Sequence, residues 1–237
     1  MAGDRVERLA RLLIEARTGG TLVRSDDAPR DPAEVYWIQD AVLRAVSGSR
    51  RANVWKAIPP RPGSEPLATP VPPQGILSSP ATMRAPKRGL LGVEAEIAFR
   101  LGPDLDAKEA LVVIELAETR LADWKGAAAW WKLADFQSHG AFVLGSGSKT
   151  WRALDFAAQP VEVLVNGARK ASAVGAHPSG DPSRLLPWMI EHCAGRGGLQ
   201  PGDIIATGSW VGIVPVDAGD DVLARFPGIG EARLKLA

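Results

Sequence analysis

Cysteine and histidine are scarce in this 237-residue sequence, and their scarcity excludes several kinds of site. Cys193 is the single cysteine, so the chain has no intramolecular disulfide and no thiolate metal cluster. Its position in an apolar helical pattern favours an inert buried thiol over a nucleophile. The three histidines, His139, His177 and His192, are too far apart to form a His-x-x-x-His ligand pair. A zinc hydrolase therefore has little support.

The sequence also lacks a charge excess and a long apolar run. Its net charge is +1, and its basic residues do not form blocks, so we expect no nucleic-acid partner. No run approaches the ~18 apolar residues of a membrane span, and the first residues lack the apolar core of a secretion signal. We therefore expect a cytoplasmic protein without a membrane partner. With 46% hydrophobic residues, the chain can bury the core of one large domain or two modest ones.

Two common enzyme motifs are incomplete. Residues 145–150 read GSGSKT, which lacks the full spacing of a phosphate-binding loop and is not followed by a helical pattern, so we interpret this segment as a turn. Ser209 is not part of a Gly-x-Ser-x-Gly elbow, which argues against a serine hydrolase.

Hydrophobic periodicity predicts two N-terminal helices. Apolar residues at helical spacing indicate a helix over residues 4–17. A second helix is predicted after Asp31, where Pro32 suits the first turn and Glu34 completes a capping box. Nine prolines between residues 59 and 86 then forbid a regular helix or a central strand. This segment is expected to be a long ordered loop or a set of short edge strands.

The rest of the chain is predicted to be mostly β. Alternation and turn signals place strands near residues 91–101, 111–117, 160–166, 169–174, 203–207, 221–226 and 231–236. Asn166-Gly167 predicts a type I′ hairpin turn. One further helix is expected from Asp181-Pro182 to about residue 195, with His192 near its end, where an imidazolium suits the helix dipole. This order of elements predicts an α+β fold. We expect residues 1–85 to form a helical and proline-rich segment and residues 86–237 a β-rich catalytic region.

Three glutamates are the strongest indication of a functional site. Alternation along a strand places Glu94 and Glu96 on one face and the apolar side chains of their neighbours on the other. Glu115 interrupts an apolar run that is typical of a buried strand, where an unpaired charge is costly. Three carboxylates with room for water and substrate suit Mg²⁺ or Mn²⁺ better than zinc. The solvent-facing side of a half-buried sheet is the alternative that these residues leave open.

Lys56 is a second candidate, because it lies in an otherwise apolar segment, residues 52–58. A buried lysine needs an anionic partner or a depressed pKa, and either condition suits an active site. A lysine that reaches solvent from a strand end is the alternative. Arg120, Asp123 and Lys125 follow the third glutamate and indicate either a loop beside the site or an ordinary solvated turn.

Six short motifs follow one another along the chain. They occupy residues 92–102 (GVEAEIAFRLG), 114–125 (IELAETRLADWK), 140–145 (GAFVLG), 202–208 (GDIIATG), 214–220 (VPVDAGD) and 227–230 (PGIG). Together with Trp55-Lys56 and the helical N-terminus, they resemble the 2-keto-4-pentenoate hydratase branch of the fumarylacetoacetate hydrolase superfamily. The resemblance implies a mixed β-roll or distorted β-barrel in which Glu94, Glu96 and Glu115 hold a divalent metal, Mg²⁺ or Mn²⁺.

The resemblance also implies an activity, the addition of water to 2-hydroxypenta-2,4-dienoate or a related short 2-oxo-enoate in aromatic catabolism. The catalytic residues expected on this basis are Lys56, Glu118 and Asp123, and the expected substrate-binding residues are Arg120, Lys125 and Ser209. The alternatives are a 2-oxo-3-hexenedioate (4-oxalocrotonate) decarboxylase and a non-catalytic partner subunit. A C–C bond hydrolase ranks third, because that branch uses an N-terminal histidine to activate water and this sequence has no histidine before His139. The resemblance further implies a homo-oligomer, associated with a downstream aldolase or decarboxylase.

The chain departs from the pattern of this branch in three places. Residues 54–58 read VWKAI where members commonly carry Gly-Tyr-Lys-Ile-Gly. An acidic pair after the proline-rich loop is replaced around residues 78–80, and the usual Asp-Asn-Ala-Ser stretch reads DFQSH at residues 135–139. The change at residues 135–139 is expected to alter the substrate pocket, and the replaced acidic pair leaves the second acid/base group unidentified.

Overall fold

Four α-helices and twelve β-strands make up the regular structure of the computed structural model, which describes residues 2–87 and 89–237. Met1 and Arg88, which fall within the two predicted segments, lie outside the described residues. The helices are α1 (Ala2–Gly19), α2 (Pro32–Ser47), α3 (Ala129–Ala134) and α4 (Leu186–Ala194). The strands are β1 (Val54–Ile58), β2 (Leu67–Pro70), β3 (Ile76–Ser78), β4 (Ala81–Met83), β5 (Leu90–Leu101), β6 (Ala107–Glu118), β7 (His139–Ser148), β8 (Pro160–Val165), β9 (Ala168–Val174), β10 (Ile204–Ser209), β11 (Asp221–Phe226) and β12 (Gly230–Leu236).

The predicted start of helix α2 is confirmed, with one difference in its capping. The Asp31 carboxylate accepts a hydrogen bond from the Glu34 backbone N–H at 2.9 Å. The Glu34 side chain does not close the box on Asp31 but accepts from the Arg30 N–H at 2.8 Å. The helix ends at Gly48, whose φ of 72° places it in the left-handed region that favours glycine.

A seven-stranded sheet, in the order β2-β1-β10-β5-β6-β7-β3, curls into a barrel-like shape. Residues 71–75 join its two edge strands, β2 and β3. Because so short a connection spans at most about 20 Å, the two edges of the sheet face each other across an enclosed interior. The predicted α+β fold with a distorted barrel is confirmed. The N-terminal segment contributes β1 and β2 to the same sheet as the later strands, while the division at residue 85 stays a prediction.

The interior of the curled sheet contains a small apolar cluster beside the three glutamates. Its buried members are Val54, Val71, Ala98, Leu111, Val113, Phe142, Ile204 and Ala206. The opposite face of β5 carries Val93, Ala95, Ile97 and Phe99 into the larger core, which includes residues of the helices. Strand alternation therefore places Glu94 and Glu96 on the interior face, as predicted.

The second sheet has five strands in the order β4-β12-β11-β8-β9. The β8–β9 hairpin turns at Asn166 and Gly167, whose φ values of 51° and 78° are both positive, as a type I′ turn requires. This prediction is confirmed. No helix in the described part of the chain is long and apolar enough to span a membrane.

The interpretation of residues 145–150 as a turn is wrong for most of that segment, because residues 145–148 belong to strand β7. A Cβ atom added to Gly145 would lie 2.3 Å from the Glu231 carbonyl oxygen, and one added to Gly147 would lie 2.5 Å from that of Ala110. Glycine is needed at positions 145 and 147 because the neighbouring backbones approach closely. The segment does not form a phosphate-binding loop.

His192 and Cys193 lie at the end of helix α4, as predicted. Burial, and then the charge of Arg196, lowers the pKa of His192 to about 4. The expected imidazolium is therefore wrong at neutral pH, and the neutral ring stacks on Trp188 with centroids 4.7 Å apart. Cys193 is buried, and burial raises the pKa of its thiol to about 12, which confirms an inert thiol.

Candidate metal centre

Glu94, Glu96 and Glu115 meet on the interior face of the curled sheet. Glu94 lies directly opposite Glu115 in the β5–β6 register, and Glu96 is two residues further along β5. One carboxylate oxygen of each residue lies within 4.8 Å of the others. Glu96 and Glu115 are buried and Glu94 is half-buried. The three side chains, called here the glutamate cluster, therefore open toward solvent on the side of Glu94.

The mutual repulsion of the three carboxylates favours the binding of a cation. Burial, and then the negative charge of Glu115, raises the pKa of Glu94 and of Glu96 to about 8. Burial also raises the pKa of Glu115. Three ionised carboxylates at this separation repel one another in a low dielectric, so they lose protons together only when a positive charge joins them.

One oxygen of the cluster is without a partner. Glu115 Oε2 is buried and has no hydrogen-bond partner among the residues that the structure describes. A buried carboxylate oxygen left unpaired is costly, and a divalent cation relieves both this cost and the excess negative charge. The donor set consists of hard carboxylate oxygens, which suits Mg²⁺ or Mn²⁺. The residues present therefore fit the predicted divalent ion.

Lys56 supplies one positive charge to the cluster. Its ammonium is buried and donates to Glu115 Oε1 at 2.6 Å, with longer contacts of 3.4 Å to the carbonyl oxygens of Phe136 and Gln137. The side chain is 4% exposed, so it does not reach solvent from the strand end. When all three carboxylates are ionised, one ammonium leaves the cluster with excess negative charge.

The backbone of residues 136–138, which contacts Lys56, is strained. Phe136, Gln137 and Ser138 are consecutive residues in the left-handed region, with φ of 54°, 53° and 58°. This conformation costs non-glycine residues roughly 1–3 kcal/mol each and persists where surrounding contacts hold it. The turn aims two carbonyl oxygens at Lys56, and the Trp124 indole N–H donates to Ser138 Oγ at 3.0 Å. This conformation places the Phe136 and Gln137 carbonyl oxygens against the Lys56 ammonium, beside the glutamate cluster.

Asp135 anchors this turn. Its fully buried carboxylate accepts hydrogen bonds from the Arg120 backbone N–H at 2.8 Å and from Arg120 Nε at 2.6 Å. Arg17 Nη2 donates to the same carboxylate at 3.2 Å. Arg120 Nη2 also donates to the His139 carbonyl oxygen at 2.7 Å. The guanidinium of Arg120, which the sequence predicts to bind substrate, is therefore buried and engaged in holding the turn.

Replacement of Asp135 by asparagine is expected to lower the free energy of unfolding by about 3–5 kcal/mol, because the buried Arg120 and the half-buried Arg17 lose their shared anion. Urea denaturation measures this loss. Asp106→Asn is the matched control, since Asp106 pairs with Arg152 at 3.1 Å on the surface and such pairs contribute about 1 kcal/mol or less. A loss below about 1 kcal/mol in D135N would contradict the anchoring role.

His139 is a residue of this site that the sequence analysis missed. Its Nδ1 lies 2.9 Å from Glu115 Oε1, and the ring is buried. Burial, and then the nearby charge of Lys56, lowers the pKa of His139 well below its usual value, so the ring is neutral. The available signal was a polar residue at the start of an apolar strand.

Ser209 lies beside the cluster because strand β10 bulges just before it. The Gly208 N–H donates to Glu96 Oε2 at 2.9 Å, and the Ser209 hydroxyl donates to the Gly212 carbonyl oxygen at 3.3 Å. The nearby Ser209 lowers the pKa of Glu94 against the larger effect of burial. Thr69, which the sequence analysis also missed, lies opposite Lys56 in the β1–β2 register. Its fully buried hydroxyl is without a partner in the described structure.

The remaining predicted residues lie apart from the glutamate cluster. Glu118 forms an ion pair with Arg120 at 3.6 Å, and burial raises its pKa. Asp123 is exposed and accepts a hydrogen bond from the Gly126 N–H at 3.0 Å, which closes a local turn. Lys125 is also exposed. The predicted roles of these residues stay predictions.

A cavity of about 580 Å³ lies between helices α2, α3 and α4. Its wall includes Ile58 and Gln137, and the Gln137 carbonyl oxygen is one of the acceptors near Lys56. Tyr36, Trp130 and Trp188 contribute aromatic surface. The volume is sufficient for a small organic acid.

Known proteins are similar to this chain in sequence or in fold. A 2-hydroxyhexa-2,4-dienoate hydratase of Comamonas testosteroni is 27% identical over 253 residues, covering 97% of this chain and 95% of the relative. A 2-keto-4-pentenoate hydratase of Burkholderia vietnamiensis is 30% identical over 60% of this chain and 58% of its own length. The structure of a 4-oxalocrotonate decarboxylase from Pseudomonas putida G7, complexed with magnesium and adipate, superposes with a TM-score of 0.87 at 18% identity, covering 100% of this chain and 99% of that one.

A family model also matches most of the chain. Residues 50–237, which include all three glutamates and Lys56, match the model for the C-terminal region of fumarylacetoacetate (FAA) hydrolase. The matched region begins before strand β1 and therefore takes in the whole curled sheet. The chain belongs to the fumarylacetoacetate hydrolase C-terminal family.

Proposed function

We propose that the protein is a divalent-metal-dependent hydro-lyase that adds water to a short 2-oxo-enoate such as 2-hydroxypenta-2,4-dienoate. The observation that carries this proposal is the glutamate cluster, in which Glu115 Oε2 lacks a hydrogen-bond partner among the described residues while Lys56 binds Oε1. The hydratase names of relatives at 27–30% identity support the reaction class.

Glu94, Glu96 and Glu115 would hold the ion, and hard carboxylate ligands favour Mg²⁺ or Mn²⁺. When bound, the ion would supply electrophilic stabilisation of the negative charge that develops on the substrate's C2 oxygen. The protein residues around it then have two tasks, to bind an anionic acid beside three carboxylates and to move a proton.

Lys56 is suited to both tasks. Its ammonium is the positive charge in contact with the cluster, so it offsets part of the repulsion between the glutamates and a 2-oxo acid. The ammonium also carries a proton that it can deliver to a substrate carbon. We assign Lys56 the proton-transfer role and Ser209, beside Glu94, a substrate contact. Glu118 and Asp123 as further catalytic groups, and Arg120 and Lys125 as substrate-binding groups, stay predictions from the family resemblance.

The apolar side of the interior strengthens these interactions. Val113, Phe142 and Ala206 are fully buried on the face of the sheet that carries the glutamates. Such side chains exclude water, and charge interactions are stronger in the resulting low dielectric. A charged substrate intermediate is therefore stabilised by fixed groups of the protein instead of by solvent.

The test is turnover by the purified protein with Mn²⁺ or Mg²⁺. We expect 2-hydroxypenta-2,4-dienoate absorbance to fall with time, and chelation by EDTA to stop the reaction. A parallel sample with 2-oxo-3-hexenedioate is monitored for CO₂ release. Decarboxylation without hydration would replace the proposed reaction by that of a decarboxylase. No turnover of either compound would contradict an enzymatic function and support the non-catalytic subunit.

Other features remain predictions from the family resemblance. A homo-oligomer, association with a downstream aldolase or decarboxylase, and a cytoplasmic location are expected on that basis. Light scattering of the purified protein measures the first of these directly.

A further inference from the structure

The two oxygens of the Glu115 carboxylate have very different surroundings. Oε1 is contacted by two nitrogens, Lys56 Nζ at 2.6 Å and His139 Nδ1 at 2.9 Å. Oε2 is buried and has no partner among the described residues. A carboxylate held through one oxygen by two donors keeps a fixed orientation, and its other oxygen is left for the side of the site where Glu94 and Glu96 lie.

The surroundings of the imidazole determine which nitrogen carries the proton. His139 Nε2 is buried without a hydrogen-bond partner in the described structure. It packs toward the backbone of Gly75, where an added Cβ would lie 3.4 Å away. A buried N–H without an acceptor is costlier and rarer than a bare acceptor nitrogen. The proton is therefore on Nδ1, which donates to Glu115 Oε1.

Nothing in the geometry makes His139 a metal ligand itself. The group of side chains whose ligand atoms lie within 4.8 Å of one another consists of the three glutamates, among the residues described. Nδ1 is already committed to Glu115, and Nε2 faces the Gly75 backbone. The ring therefore acts through the glutamate and not directly on the ion.

We infer that His139 is a positioning residue that, as the Nδ1–H tautomer, fixes Glu115 so that Oε2 is presented to the divalent ion. The inference rests on the proposed metal-dependent function. Hydrogen bonds to metal-binding carboxylates typically change metal affinity by about 10- to 100-fold when they are removed. Lys56 contributes the second hydrogen bond to Oε1, so loss of His139 weakens the orientation without abolishing it.

The test compares Mn²⁺ affinity, measured by titration calorimetry, for the wild type and three variants. In His139→Asn the amide nitrogen occupies the place of Nδ1, whereas in His139→Gln it occupies the place of Nε2. We expect H139A and H139Q to bind Mn²⁺ about 10- to 100-fold more weakly than the wild type. H139N is expected to stay within about 3-fold of the wild type, since it restores the donor.

The outcomes separate this inference from the proposed function. A wild type that binds no Mn²⁺ would contradict the proposed function. A wild type that binds Mn²⁺, with H139A equally tight or H139N as weak as H139A, would overturn the role of His139 alone. Should the variants unfold, ¹⁵N spectra of histidine-labelled wild type still decide. The Nδ1–H tautomer at His139 supports the inference and the Nε2–H tautomer overturns it.

Discussion

Replacing Glu96 with glutamine is expected to lower kcat/KM for dienoate hydration by at least about 1,000-fold and, at the same time, to stabilise the metal-free protein. The loss of activity follows because one of three metal-binding carboxylates becomes a neutral amide, and a bound ion contributes several kcal/mol to the transition state. The gain in stability follows from the electrostatics of the empty cluster. Opposite changes in activity and stability at one residue would indicate that Glu96 is kept for function at a cost in stability.

The sign of the stability change can be worked out from the pKa. Burial, and then Glu115, raises the pKa of Glu96 to about 8 in the folded protein, above the value of an unfolded chain. At neutral pH Glu96 ionises readily in the unfolded chain but not in the folded protein, so its ionisation favours unfolding. This cost is absent at acidic pH, grows as the pH rises and is largest above the folded pKa. The amide cannot ionise, so E96Q is expected to unfold with a free energy about 1–3 kcal/mol higher than metal-free wild type at pH 8. Urea denaturation in EDTA measures the difference.

Glu109→Gln is the matched control for this experiment. Glu109 lies on the same hairpin but pairs with Arg100 at 3.0 Å in a partly exposed position. Its replacement is expected to leave activity intact and to change stability by less than about 1 kcal/mol. Two results would contradict a metal-binding role for Glu96. One is metal-dependent activity that is retained in E96Q. The other is a lower free energy of unfolding of E96Q in EDTA, as expected of an ordinary core defect.

Replacing Lys56 with methionine is expected to lower kcat by about 100- to 10,000-fold, the usual contribution of a positioned acid or base. Methionine has a similar volume but no charge or proton. Removal of the ammonium takes away a positive charge that competes with Mn²⁺, but also one of the two hydrogen bonds that orient Glu115, so the Mn²⁺ dissociation constant is expected to change by less than about 10-fold. Single-turnover kinetics and titration calorimetry measure the two effects separately.

This combination distinguishes a catalytic lysine from one that only neutralises charge. If Lys56 only neutralised the glutamates, the metal-loaded K56M variant would retain nearly full kcat. Lys108→Met, at an exposed position of strand β6, provides the control for introducing methionine into this sheet. K56M that binds Mn²⁺ normally and turns over at the wild-type rate would exclude the proton-transfer role.

The residues of the glutamate cluster could be identified from local sequence patterns. Two-residue alternation along β5 is a property of any strand, so it placed Glu94 and Glu96 on one face before any contact was known. Glu115 was identifiable because an ionised side chain within an apolar strand needs a partner. The type I′ turn at Asn166-Gly167 and the start of α2 were likewise fixed by neighbouring residues.

His139, Thr69 and the anchoring role of Asp135 could not be predicted in the same way. The contact of His139 with Glu115 depends on the pairing of β6 with β7, and that of Thr69 with the interior depends on the pairing of β1 with β2. Asp135 is bound by Arg17, which is 118 residues away in the chain. Such contacts arise from tertiary packing, which no short window of sequence contains.

The central claim is that Glu94, Glu96 and Glu115 together bind one divalent ion. Crystals grown with Mn²⁺ and measured at the manganese absorption edge test it most directly. We expect one strong anomalous peak per chain at about 2.1 Å from an oxygen of each glutamate, including Glu115 Oε2, and its loss in E96Q. An anomalous peak elsewhere with none at the cluster, in crystals of active protein, would contradict the claim.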